Sequence, residues 1–133
     1  MYRNFIMNIF IDKQQFESHI FFDLKKDDNE NICGFKTSEN GRFKLSFKFK
    51  GRDFESMSKI IENSSIVNSF DGKPFLRTSI FIKSIFLAYI FEISIIEEDS
   101  VQKFIVNEEL LNKLHYDFVK IIVSKWLNLT GGA

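Results

Sequence analysis

The sequence predicts an α+β fold, a mainly antiparallel sheet of about six or seven strands with two helices packed on it, the longer helix C-terminal. Three observations predict it. Short runs alternate apolar and polar residues, most plainly from Arg42 to Phe49, and a period of two belongs to strands. Two other stretches, after Asp53 and after Asn107, repeat apolar residues at helical spacing. The order is strands, helix, strands, helix, with turn residues between the runs, which favours antiparallel neighbours.

The chain has 133 residues, of which 44% are hydrophobic and 27% charged. That is the size and balance of one globular domain, 1–133, with its own core. Phe accounts for 17 residues. A buried Phe supplies about 1.5–3 kcal/mol of transfer free energy, and rings of this size need the broad layer between a sheet and helices.

Residues 8–12 read as a short strand, and Asp12 with Gln15 is a capping pair for one helical turn over 13–19. Ser18, Ile20, Phe22 and Leu24 then alternate as in a strand, and residues 26–31 are a polar turn. Residues 32–37 form the next strand, with Gly34 marking a bulge. Asn40-Gly41 is the strongest short hairpin signal, so 32–37 and 42–50 are predicted to pair antiparallel. Gly51 closes that strand. Asp53 is a good helix cap, followed by Phe54, Met57, Ile60 and Ile61 at helical spacing, and Asn63 with two serines ends the helix.

Residues 70–74 are a turn by composition. From 75 to 96 the chain reads as extended. Leu76, Ile80 and Ile82 share one parity, whereas Ile85, Leu87, Tyr89, Phe91, Ile93 and Ile95 share the other. One inserted residue near Lys83-Ser84, a β-bulge, accounts for the switch. Apolar residues on both parities from 85 to 96 suit a central strand covered on both faces. Residues 97–100 turn and 101–106 pair back. Asn107 caps the last helix, with Glu108 and Glu109 in its first turn, where the helix dipole favours negative charge. Its apolar stripe runs through Leu111, Leu114, Phe118, Ile121, Ile122, Trp126 and Leu129, with Lys120 and Lys125 toward the C-terminal end.

The apolar run 79–96 is interrupted by Lys83 and Glu92. Each charge would cost about 2.5–3.5 kcal/mol at a bilayer centre, so no membrane span is expected. No secretory signal opens the chain, and Met7 is an alternative start to Met1. The single Cys33 has no internal disulfide partner, which fits a reducing compartment. The expected location is cytoplasmic.

The search for chemistry gives no catalytic set. His19, Cys33 and His115 follow no metal-ligand spacing, and no phosphate-cradling or cofactor motif is present. Neither a metal nor a cofactor is expected, and the chain is not read as an enzyme. Asp27-Asp28 and Glu97-Glu98-Asp99 fall in turns, where solvation explains them. Glu92 is different. It lies inside an apolar run, so it is a candidate buried polar residue in need of a partner.

The remaining candidate is the cationic stripe Arg42, Lys44, Lys48, Lys50 and Arg52, which alternates with Phe43, Leu45, Phe47 and Phe49. The plain reading is a solvated strand face whose lysines discourage edge pairing. The functional reading is a platform for an acidic partner. Lys+Arg and Asp+Glu are equal at 18 each, and a nucleic-acid binder usually carries a basic excess. The aromatics also share the core parity of Leu45, whereas base-stacking aromatics must be exposed. The expected function is therefore a small protein-binding protein of the immunity or inhibitor type, neutralising a bacterial toxin or effector with an acidic surface. A nucleic-acid-binding module using 42–52 is the alternative, and an enzyme with a dispersed polar site is the third reading.

Overall fold

The computed structural model describes residues 15–67 and 69–131. The strand expected over 8–12 lies outside them. The alternating runs become β1 (Phe16–Lys26), β2 (Ile32–Thr37), β3 (Phe43–Phe49), β6 (Ile90–Glu97) and β7 (Ser100–Ile105). These form a five-stranded antiparallel sheet in the order β2-β1-β3-β6-β7. Two short strands, β4 (Ser65–Val67) and β5 (Pro74–Leu76), make a separate hairpin. The helices are α1 (Phe54–Ser64), α2 (Thr78–Tyr89), α3 (Glu108–Lys113) and the long C-terminal α4 (Tyr116–Leu129). The fold is α+β, as the order of runs predicts. The capped turn expected over 13–19 is not formed in its described part, because Phe16–His19 already belongs to β1.

The predicted pairing of 32–37 with 42–50 is not what forms. β1 lies between them. β2 pairs with the C-terminal part of β1, from Phe22 to Lys26. β3 pairs with the N-terminal part on the opposite edge, from Phe16 to Phe22. Phe22 is the one residue shared, opposite both Thr37 and Phe43. Residues 38–42 carry the chain across β1 at that point. Ser38 N–H donates to Phe21 O at 3.0 Å, and Arg42 N–H donates to the Asp23 carboxylate at 2.8 Å. The glycine of the hairpin signal serves this crossing: a Cβ on Gly41 would come within 2.5 Å of the Phe22 backbone nitrogen. The expected irregularity beside Gly34 is present, since the register shifts between Lys25 and Lys26 and leaves Cys33 unpaired.

Residues 75–96 are not one extended run. α2 occupies Thr78–Tyr89, and β6 starts at Ile90. The parity switch near Lys83-Ser84 is the helical period itself. Ile82, Ile85, Phe86 and Tyr89 are all buried, at the spacing of one helix face. Ile and Phe favour strands locally, but packing of this face against α4 decides the outcome. Beyond Ile90, β6 is an inner strand between β3 and β7, but it is not covered on both faces as expected. Ile90 and Ile93 are buried in the core, whereas Glu92, Ser94 and Ile96 lie on the outer face and stay partly exposed.

The last helix is also divided. Asn107 caps α3 by accepting from Leu110 N–H at 2.8 Å, but Leu114 and His115 are extended. Leu111, Leu114 and Phe118 still pack on the core across the break, so the apolar pattern runs on without showing it. Asp53 caps α1 as predicted, accepting from Ser56 N–H at 2.8 Å. Of the α1 stripe only Ile60 is fully buried and Met57 partly so, whereas Phe54 and Ile61 are exposed.

One face of the sheet and the helices share the core. Phe22, Leu45, Phe47, Phe49 and Ile93 meet Ile85, Phe86, Tyr89, Phe118, Ile122 and Trp126 there. Among the described residues no helix is long and apolar enough to cross a membrane.

Candidate functional site

The alternation of β3 puts Arg42, Lys44 and Lys48 on the face away from the core, but their surroundings are not purely cationic. β6 lies beside β3 with Lys48 opposite Glu92. Lys48 Nζ stands 3.2 Å from a Glu92 carboxylate oxygen. Arg42 pairs with Glu97 at the far end of the same strand. Lys44 lies between Phe21 and Ile96. Glu92 is half-buried on this face rather than fully buried as expected, and its partner is Lys48, a member of the stripe itself.

Lys50 and Arg52 do not join that group. The register shifts between Lys48 and Phe49 where β3 meets β6, and the chain then turns toward the helices. The Lys50 ammonium sits 5.8 Å from the ring centres of both Tyr89 and Phe91. The Arg52 guanidinium donates to Leu127 O at 2.8 Å and to Thr130 Oγ1 at 2.9 Å, and lies over the Trp126 ring. Arg52 ties the end of α4 to the loop before α1. The structure therefore splits the five cations into an outer-face group of three and a pair against the helix layer.

A polar cluster joins Asp53, Ser56 and Tyr89 beside this pair. Tyr89 Oη donates to Asp53 Oδ1 at 3.0 Å. Its ring stacks on Trp126, centroids 4.5 Å apart, and Trp126 Nε1 donates to Lys50 O at 2.9 Å. Burial, and then the bond to the Asp53 carboxylate, push the Tyr89 hydroxyl up to about 12. Burial pushes Asp53 upward too, but the Ser56 and Tyr89 hydrogen bonds outweigh it and hold the carboxyl below its ordinary value. A phenol kept protonated on a capping carboxylate is a structural tie between α1, α2 and α4.

The soft ligands are not brought into one site. His19 packs edge-on to Phe21, His115 packs edge-on to Phe35, and Cys33 is exposed on β2. Among the described residues no group of three His, Cys, Asp or Glu side chains is placed to hold a metal.

The surface that sequence reasoning missed is the β4–β5 arm. Ile66, Val67, Phe75 and Leu76 are exposed on its strands, Val67 to 67%. Phe70, near its tip, is 98% exposed, and Ile61 of α1 and Ile80 of α2 are exposed in the helices on either side of the arm. The available signal was Asp71-Gly72 between two short apolar runs, a hairpin dipeptide. Gly72 takes φ +68°, and Asp71 accepts from Lys73 N–H at 2.9 Å. Arg77 anchors the base, its backbone N–H donating to Ser64 O at 2.7 Å and its guanidinium to Asn63 O.

Comparison with known proteins yields no match to a family model, to a curated protein or to a solved structure.

Proposed function

We propose that this chain works by binding another protein, as an immunity- or inhibitor-type protein that neutralises a bacterial toxin or effector. The observation that carries the reading is the arm. Seven large apolar residues between Ile61 and Ile80 stand exposed on and around one short hairpin. Scattered surface apolar residues are ordinary, but a cluster is costly to leave in water and marks an interaction surface. The outer-face cations give less support than their number suggests, since Arg42 and Lys48 already face carboxylates. Paired in this way, they make a poor phosphate-binding track.

The test is co-expression with the product of each neighbouring gene that is toxic on its own. The chain should restore growth. A Val67→Ser, Phe75→Ser double variant of unchanged melting temperature should not. Full protection by that variant would remove the arm from the contact. Tight, steeply salt-dependent binding of single-stranded RNA or duplex DNA by the purified chain would replace the whole reading with the nucleic-acid one.

A further inference from the structure

The sheet leaves a strand edge without a neighbour among the described residues. β3 pairs with one edge of β1 from Phe16 to Phe22, while β2 reaches only from Phe22 to Lys26 on the other. The edge that β2 occupies therefore continues past its end. Phe21 O accepts from Ser38 N–H and so points to that edge. Backbone groups alternate along a strand, so the N–H and C=O of His19 and Glu17 point the same way. A groove of about 800 Å³ runs between this edge and α4. α4 lies antiparallel to β1: Phe118 packs on Phe22, and Trp126 reaches Lys50, just past the Phe49 that pairs with Phe16.

Ile20, Phe35 and Ile121 supply the apolar lining of the groove. Its charges are Lys25, Lys120 and Lys125 against Glu39 and Asp117. Lys125 lies along α4 next to Trp126, beside the unpaired half of β1.

We propose that this groove binds an extended, acidic peptide segment of a partner, which adds as a strand to β1 beside His19 and Glu17 and sets carboxylates against Lys120 and Lys125. Two independent features select that occupant. Unpaired backbone donors and acceptors at strand spacing are satisfied by another extended backbone. Lys120 and Lys125 stand on the α4 wall of the groove, which favours acidic side chains on the face of that strand turned toward α4. The site is separate from the β4–β5 arm and is read with a synthetic ligand, so it stands or falls apart from the reading above.

The probe is a fluorescein-labelled peptide alternating valine and glutamate, titrated into the full chain by fluorescence polarisation at low salt. Saturable binding is expected. A Lys120→Glu, Lys125→Glu double variant of unchanged melting temperature should bind about tenfold more weakly, and a valine–lysine peptide should lose at least as much. Amide hydrogen exchange then reads the edge directly. The Glu17 and His19 amides should exchange freely in the unliganded chain and slow when the peptide is added. The proposal is overturned by an absence of saturable binding, by equal binding of the lysine peptide, or by tighter binding of single-stranded DNA of similar length. It is also overturned if those amides are already protected without peptide. Protection that rises with protein concentration would assign the edge to a second copy, and protection that does not would assign it to residues 1–14.

Discussion

α4 and the two strands of the β4–β5 arm are both rich in apolar residues, and they meet opposite fates. Phe118, Ile122 and Trp126 on α4 are almost wholly buried, Phe118 at 3% exposure, whereas Val67, Phe70 and Phe75 on the arm face outward. Composition does not separate them. What separates them is the layer each element has to lie on. α4 is 14 residues long and crosses the sheet, so a full helix face finds partners. Each strand of the arm is three residues long and, among the described residues, pairs only with the other. A two-stranded hairpin is marginal by itself, so this one is held from its base by Arg77 on the carbonyls at the end of α1. Apolar residues on such a support have no layer of the fold beneath them to lie on.

The contrast is sharpest at Phe118. Replacing it with Ala should cost about 3–5 kcal/mol, the range for a fully buried ring. Urea denaturation measures this, and a loss near zero would place Phe118 on the same footing as the arm. Asp53→Ala comes next, because it removes the α1 cap and leaves the buried Tyr89 hydroxyl without its acceptor. About 1–2 kcal/mol should be lost by the same measurement.

Tyr89→Phe is milder, at about 1 kcal/mol, but it carries a pH signature. The folded chain holds the Tyr89 proton to about 12, above the ordinary 10.0 of a free phenol. Between those values the unfolded chain has lost a proton that the folded chain keeps. Stability should therefore be intact below pH 10 and fall as the pH rises toward 12. Chemical melts of the Tyr89→Phe variant should show a shallower fall across that window. An equal fall in both proteins would mean that Tyr89 is not the group responsible. The smallest effect belongs to the arm: Phe75→Ser should change stability by no more than about 0.5 kcal/mol. A loss several times larger would mean that the arm belongs to the core after all.

The sequence reveals those parts of the fold whose signals are local. β3 and β7, the Asp53 and Asn107 caps and the polar turns could be read from neighbouring residues. The misreadings have physical causes. In α2, Ile and Phe invite a strand reading, and only contact with α4 makes Ile82, Ile85, Phe86 and Tyr89 one buried face. The break at Leu114-His115 is invisible because the core-facing residues continue across it. Asn40-Gly41 announces a reversal correctly in chemistry, but not in destination. At the candidate sites the stripe was legible as a pattern along β3, while its partners, Glu92 and Glu97, come from a strand some fifty residues later. The edge of β1 that is unpaired among the described residues could not be read at all, because an edge depends on which strands stop short.

The crossing at Phe22 bears on how the chain folds. Most strand pairs joined by a short loop zip from that loop within microseconds. Here the loop of residues 38–42 joins two strands that never touch, so it has nothing to zip. β2 and β3 pair with the two edges of β1 and not with each other, so each needs β1 as its template. The loop closes over the β1 backbone, and Gly41 fits against Phe22 with no room for a side chain. Lengthening an ordinary surface loop costs a domain little. This loop is more tightly constrained, because it must span β1 and any side chain at Gly41 would meet the Phe22 backbone.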